Sequence, residues 1–424
     1  MNTASLYEVY KKHPVICTDS RSIRAGSMFF ALKGERFNGN AFALQALADG
    51  AAYAVIDEPE YRVDERTILV PDVLQALQQL AYHHRMQFRI PFIAVCGSNG
   101  KTTSKELLHA VLSTTYKTVS TPGNLNNHIG VPLTLLSIPA DTEMAIIEMG
   151  ANHRFETYEL CKIAAPNYGV VTNNGKDHLE GFGSIEGVRK ANAELFEYLK
   201  QTGGTAFVNA GMPDLMEDSY QLKRYIYGDD PKADFVCRSN SQGVFAGLTL
   251  LDGTTITSQL AGAFNWANMA LAATIGHYFK VSKEKIIQAL ESYQPRLNRS
   301  QVMQYRGATV VMDAYNANPS SMELALRSFM QIPGKKCVIL GDMLEMGEHA
   351  SAEHRNMVHL VKELSPDVVV LVGPEFGQWK HEVESRHFEN STDAAAWFRQ
   401  QDFTGWYILL KGSRGLKLEK VLED

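Results

Sequence analysis

Cysteine is scarce in this chain: five among 424 residues, scattered as Cys17, Cys96, Cys161, Cys237 and Cys337, with no Cys-x-x-Cys pair. That pattern argues against a disulfide framework or a structural zinc, and it predicts reduced, buried thiols in a cytoplasmic protein. Long apolar runs are absent as well. Nothing approaches the ~20 residues that cross a bilayer, and Val368-Val-Val-Leu-Val372 reads as a buried strand, so no membrane is expected. The opening Met1-Asn-Thr-Ala-Ser-Leu-Tyr-Glu lacks the basic-then-apolar form of a signal peptide. Long basic runs are missing too, and the net charge is −6. Nucleic acid is therefore not an expected partner, and an anionic ligand must be held by local basic side chains and helix N-termini. No internal repeat or low-complexity segment stands out. The Gly-x-Gly-x-x-Gly fingerprint is missing, so no dinucleotide is assigned.

What is present is ordinary globular composition, 45% hydrophobic and 21% charged, with length for about three domains at ~150 residues each. Residues 1–88 mix short strands and helices and end in a helical stretch from Asp72. Residues 89–298 alternate strand-like runs (Met144–Glu148, Gly169–Asn173, Ala206–Asn209) with helical segments, as in a parallel sheet. Within that block 212–262 is turn-rich and β-like, and Asn265–Phe279 reads as a helix. Tyr293–Ser300 reads as a linker. Residues 299–424 repeat strand–helix units at Thr309–Asp313, Cys337–Leu340, Val368–Val372 and Tyr407–Leu410, a small open Rossmann-like sheet. The fold class is α/β in three domains.

The most informative segment is Pro91-Phe-Ile-Ala-Val-Cys-Gly-Ser-Asn-Gly-Lys-Thr-Thr103. A buried strand ends, Gly97, Ser98, Asn99 and Gly100 turn, and Lys101, Thr102 and Thr103 open a helix with Leu107, Leu108, Val111 and Leu112 on its inner side. Such a turn aims backbone N–H groups and a helix N-terminus at one point, which suits a polyphosphate. Lys101 would reach the β/γ-phosphates of ATP and Thr102 would meet Mg²⁺. Two residues separate the glycines where the usual triphosphate loop has four. Glu148 ends another strand, at the sheet edge where a carboxylate can serve Mg²⁺. Thr172-Asn-Asn-Gly-Lys-Asp-His-Leu-Glu-Gly-Phe-Gly-Ser184 is a polar loop after a further strand, and its His178 would serve a second metal or a phosphate.

Together these segments resemble the Mur ligase superfamily of ATP-dependent amide-forming enzymes. Its phosphate loop, acid and histidine match Gly97–Thr103, Glu148 and His178. More discriminating are Gly123-Asn-Leu-Asn-Asn-His-Ile-Gly-Val-Pro-Leu-Thr-Leu-Leu136, Asp313-Ala-Tyr-Asn-Ala-Asn-Pro-Ser-Ser-Met322, Leu340-Gly-Asp-Met-Leu-Glu-Met-Gly-Glu348 and Lys411-Gly-Ser-Arg414. These resemble the branch that adds D-alanyl-D-alanine to UDP-N-acetylmuramoyl-tripeptide. Asp19-Ser-Arg-Ser-Ile-Arg-Ala-Gly-Ser-Met-Phe-Phe-Ala-Leu-Lys-Gly34 resembles the UDP-sugar segment.

The resemblance implies an N-terminal UDP-sugar domain, a central ATPase and a C-terminal domain for the incoming dipeptide. It implies catalytic roles for Lys101, Glu148 and His178, with Thr102, Glu148 and His178 toward metal. Asn265, Asn268 and Asp313 fall on the ATP side. Ser20, Arg21, Asn124, Asn126, Asn127 and Ser184 fall on the UDP-substrate side, and Tyr315, Asn316, Asn318, Lys411, Ser413 and Arg414 on the dipeptide side. A monomer is expected.

One position departs: the family carries a carbamylated lysine where this chain has Asn192, in Gly187-Val-Arg-Lys-Ala-Asn-Ala-Glu-Leu-Phe196. An amide cannot become a carbamate, though its oxygen could reach a magnesium-bound water, so the resemblance implies one Mg²⁺ site and leaves the second open. Lys190 should point to another helical face. Asn38-Gly-Asn40, where the family commonly has Asp-Gly-His, is a smaller departure. The competing readings are a folate-polyglutamylating ligase, disfavoured by residues 1–88, and a non-catalytic binder of UDP-precursors, prompted by Asn192.

Overall fold

A computed structural model describes residues 1–423 as an α/β protein built on three main sheets. The strand Phe92–Cys96 lies inside the largest and is buried throughout. Its side chains alternate: Phe92, Ala94 and Cys96 enter one apolar core, Ile93 and Val95 another. A strand buried on both faces needs cover on both, which is the usual setting of parallel sheets. It pairs in parallel with Met144–Glu148 on one side and Tyr168–Val171 on the other. The sheet extends to Thr118–Ser120 at one edge and through Thr205–Asn209, Lys223–Gly228 and Phe235–Ser239 toward the other, all parallel. Phe245–Leu250 and Thr255–Ala261 complete its nine strands as an antiparallel meander.

The helix Lys101–Leu112 covers the Ile93 face and Glu156–Ala164 the opposite one. Crossovers leaving on opposite faces open a crevice at the carboxyl ends of the strands, where α/β sheets bind ligands.

The N-terminal sheet has four parallel strands, Ile16–Cys17, Met28–Phe30, Tyr53–Ile56 and Thr67–Leu69. The helix Val73–Arg85, capped by the Asp72 side chain, sends Leu77 and Leu80 into a core that runs unbroken from Leu6 and Met28 to Leu135, Leu160 and Leu199 of the central domain. Arg85 lies across this seam. It donates to the Ala164 and Ala165 carbonyls at 3.0 and 2.7 Å, closing the end of Glu156–Ala164, and stacks on Phe92 at 3.7 Å.

The C-terminal sheet has six strands. Ala308–Asp313, Tyr407–Lys411, Lys336–Gly341, Val368–Val372 and Arg386–Phe388 run parallel, and Gln301–Tyr305 is an antiparallel edge. That edge strand is not anticipated in the sequence, because two glutamines interrupt its apolar pattern. A two-residue turn holds it, with Arg306 and Gly307 both at positive φ (45° and 78°) as the tight hairpin geometry requires. All five cysteines are free and buried. Among the described residues no helix is long and apolar enough to cross a membrane.

Candidate active site

The phosphate-type loop owes its shape to its two glycines. Gly97 sits at φ +119°, and a Cβ there would come within 2.3 Å of the Thr172 hydroxyl oxygen. Gly100, at φ +80°, would meet the Asn268 amide oxygen at 2.7 Å. The loop can therefore press against its neighbours only without side chains at these points. Ser98 Oγ accepts from the Gly175 N–H at 2.9 Å, and the Asn99 N–H donates to Asn173 Oδ1 at 3.1 Å. Lys101 opens the helix, and its Nζ donates to the carbonyls of Gly97 (2.5 Å) and Ser98 (3.0 Å), with Asp177 Oδ2 at 3.6 Å.

Glu148, 1% exposed, ends the adjoining strand. Its Oε1 accepts from Thr102 Oγ1 (3.1 Å) and Asn126 Nδ2 (2.8 Å). Its Oε2 is buried with no hydrogen-bond partner; the nearest cation, Lys105 Nζ, lies 3.7 Å away. A bare, buried carboxylate oxygen is uncommon, and beside a threonine hydroxyl it is a donor set that suits a hard divalent cation.

The loop after Tyr168–Val171 forms the next wall. Asp177 is buried between Lys101 and Asn318, whose Nδ2 donates to Asp177 Oδ1 at 3.1 Å. His178 takes positive φ (45°). Its Nδ1 lies 2.9 Å from Glu345 of the C-terminal domain, and its Nε2 lies 3.7 Å from Asp177. Burial pulls the His178 pKa down, but the two carboxylates outweigh it and the net shift is upward. The hydrogen bond from His178 in turn holds Glu345 below the usual glutamate range.

The far wall is C-terminal. Asp313 accepts from Lys411 Nζ (2.6 Å) and the Ser300 N–H (3.1 Å). The walls enclose a cavity of about 650 Å³. Ser98, Asn99, Gly100, Lys101, Thr102, Thr103, Glu148, His178, Asn265, Asn268, Asp313, Asn316, Asn318 and Lys411 all line it.

Several residues singled out in the sequence spend their side chains on the protein itself. Asn265 donates to the Ala261 carbonyl and Ser300, and accepts from Asn268, which in turn accepts from Ser104. Asn318, placed with the dipeptide by resemblance, caps Pro319–Met330 and donates to Asn99 Oδ1 of the phosphate loop at 2.9 Å. Asn127 accepts from the Ile129 and Gly130 amides, and Ser184 caps Ile185–Thr202. Asn124 is exposed. Ser413 accepts from the Leu344 N–H, and Asn316 from the Ala317 N–H. Tyr315 carries Arg299 at 3.8 Å and Arg414 at 5.7 Å. Ser20 and the exposed Arg21, which pairs with Asp19, lie on the N-terminal domain away from the cavity lining.

At the departure position, Asn192 is buried and donates to Asn174 Oδ1 at 2.8 Å, while Asn174 donates to Asp214. Its amide nitrogen is thus engaged in a side-chain chain at the cavity wall. Lys190 is on the exposed face, paired with Glu186. Among the described residues no group of three or more His, Cys, Asp or Glu is arranged as a metal site. Sequence reasoning missed Asp177, whose signal was its place beside His178, and Arg299, which lay unread in the linker.

Three family models cover the chain in order: Mur ligase family, catalytic domain (residues 14–85), Mur ligase middle domain (95–276) and Mur ligase, glutamate ligase domain (298–414). The UDP-N-acetylmuramoyl-tripeptide–D-alanyl-D-alanine ligase of Bacillus subtilis (strain 168) is 34% identical, with 96% of this chain and 92% of the relative covered. This chain belongs to the Mur ligase family. The Escherichia coli (strain K12) ligase of the same name is 33% identical at the same coverage. Among solved structures, MurF from Acinetobacter baumannii superimposes with a TM-score of 0.88 at 29% identity, covering 99% of this Mur ligase and 97% of that chain. MurF from Thermotoga maritima, solved in complex with ADP, gives 0.86 at 27% identity, with 96% of each chain covered.

Proposed function

We propose that this Mur ligase joins D-alanyl-D-alanine to a UDP-N-acetylmuramoyl-tripeptide, converting ATP to ADP and phosphate, in a cytoplasmic step of peptidoglycan precursor synthesis. The observation that carries the reading is the cavity itself. One wall is a phosphate-binding loop with Lys101, and the other is a C-terminal face with Asp313, Asn316 and Lys411. A nucleotide and an amine can meet there. The similarity to D-alanyl-D-alanine ligases over nearly the whole chain supports the substrate pair.

A peptide carboxylate is a poor electrophile because its oxygen leaves badly. In the proposed reaction that oxygen attacks the γ-phosphorus of ATP, and ADP leaves from the other side. The resulting acyl phosphate is then attacked at carbon by the neutral amine of the dipeptide. Phosphate departs and the amine gives up a proton. The protein's task is positioning and charge neutralisation. Lys101, with the amides of the loop and helix start, would hold the phosphates; its ammonium rests on the Gly97 and Ser98 carbonyls, with Asp177 at 3.6 Å. Thr102 and the unpartnered Oε2 of Glu148 fit one Mg²⁺, which when bound would neutralise phosphate charge. A second ion fits less well: His178 faces Glu345, and Asn192 is turned onto Asn174. No step is assigned to it. Arg299, Asn268 and Asp313 line the same cavity and would face the nucleotide.

Phosphate release should require ATP, UDP-tripeptide and D-alanyl-D-alanine together. Testing both diaminopimelate- and lysine-containing tripeptides would identify the third residue. Release that is indifferent to the dipeptide would remove the reading.

A further inference from the structure

Lys105 is fully buried, at 0% exposure, on the phosphate-loop helix. It lies one turn after Thr102 and so shares its face. An ammonium taken out of water must have its charge and its three protons answered. Here Nζ donates to the Thr121 carbonyl at 2.7 Å and the Gly123 carbonyl at 3.3 Å. Its charge is met by Glu106 at 3.1 Å and Glu148 at 3.7 Å. A methionine would fill the same space without that demand, so the lysine's particular contribution is what it holds.

What it holds is the segment that wraps Glu148. Thr121 Oγ1 accepts from the Glu148 N–H at 2.9 Å. Asn126 Nδ2 donates to Glu148 Oε1 at 2.8 Å, and the Asn126 carbonyl accepts from the Gly150 N–H at 2.8 Å. Pro122 to Leu125, between these anchors, are exposed. The segment therefore touches the site through Thr121 and Asn126 and presents its tip outward.

We propose that Lys105 is a positioning residue: a buried clamp that fixes the 121–127 segment against Glu148, so that a substrate carboxylate held by this segment meets the γ-phosphate in line. The identity of that substrate rests on the ligase reading; the clamp does not.

The test uses the full chain with Lys105→Met and Lys105→Gln, the latter retaining one donor for the Thr121 carbonyl. Hydrogen exchange is measured without substrate, and steady-state constants with ATP, UDP-tripeptide and D-alanyl-D-alanine. In Lys105→Met, the 123–127 amides should exchange at least about tenfold faster while those of Phe92–Cys96 keep their protection. Its kcat/KM for UDP-tripeptide should fall about 10²-fold, because small misplacements of reacting groups cost that much. The KM for ATP should change much less than the constant for UDP-tripeptide, since the phosphate loop itself is not held by this contact. Lys105→Gln should lie between the two, and it carries the test alone if Lys105→Met does not fold. Unchanged loop exchange, or a lower melting temperature with wild-type constants, would overturn the clamp. If the wild type itself fails with UDP-tripeptide, the ligase reading falls, and the exchange data still decide the clamp.

Discussion

The seam between the first and central domains and the seam between the central and third domains mix apolar and polar contact in different proportions. Across the first, Leu6, Met28, Leu77 and Leu80 share one apolar core with Leu135, Leu160 and Leu199. Arg85 and Tyr10 close it with hydrogen bonds to central-domain carbonyls. Across the second, a smaller apolar patch, Ala261 with Val244 and Phe264, joins the third domain's core, and the contacts around the cavity are polar: Asn318 to Asn99 and Asp177, Lys176 to Glu353 at 2.6 Å, His178 to Glu345 at 2.9 Å. A buried leucine contributes ~1.5–3 kcal/mol, whereas a partly exposed ion pair contributes ~0–1 kcal/mol. The Lys176 and Glu345 side chains are 41% and 55% exposed. The first seam is therefore fused, and the second is suited to opening and closing around the cavity. In the proposed reaction the chemistry falls at this weaker seam, where closure would exclude water from an acyl phosphate.

The largest effect is expected where the second seam meets the phosphates. Lys101→Ala should lower phosphate release by about 10²-fold or more while leaving the unfolding transition in place, because in the proposed reaction its charge would meet the transferring group. Near-wild-type turnover would remove the ATP site from this seam.

At the first seam the effect should be on stability. Leu77→Ala, at a fully buried position, should lower unfolding free energy by about 2–5 kcal/mol. Steady-state constants measured well below the melting temperature should not change. If its main effect were kinetic, the first seam would not be merely structural.

Glu345→Gln with Glu353→Gln cuts both ion pairs of the second seam. We expect stability to move by less than about 1 kcal/mol, as for other partly exposed pairs. The kcat/KM should fall about tenfold, equivalent to 1.4 kcal/mol of lost closure, and high salt should reproduce the loss in the wild type.

The smallest effect is the pH response of the first seam. His84 is buried there, with Nδ1 3.1 Å from Tyr7 Oη and Nε2 3.4 Å from the Ile138 carbonyl, and it faces Tyr10 and His83. Burial lowers its pKa below the ordinary 6.5. As pH falls below that value the unfolded chain takes up a proton that folded His84 does not, so stability declines toward acid. His84→Gln should flatten part of that decline in thermal unfolding; half-buried His109, shifted the same way, leaves a remainder in both proteins.

The two seams also differ in how far they can be read in the sequence. The phosphate loop and its strand are local patterns, and Gly97, Gly100 and Lys101 stand together in the fold as they do in the chain. Asn318 is different. Its partners Asn99 and Asp177 are 219 and 141 residues away, and only the docking of two domains brings them together. Lys105 is hidden by chemistry, because a charged residue on an amphipathic helix reads as solvent-facing until the carbonyls it holds are seen. Ser184 caps its helix and the Asn127 side chain takes the Ile129 and Gly130 amides just ahead of another, and their spacing to Gly187 and Gly130 carried that signal unread. Arg299 had no motif around it, and its stacking on Tyr315 needs the C-terminal sheet in place.

Hydrogen exchange across the whole chain, with and without a non-hydrolysable ATP analogue plus UDP-tripeptide, compares the two seams in one experiment. The account predicts new protection at 172–178, 316–321 and 345–353, and none at 73–85 or 156–165. Equal protection at both seams, or protection at the first alone, would contradict it.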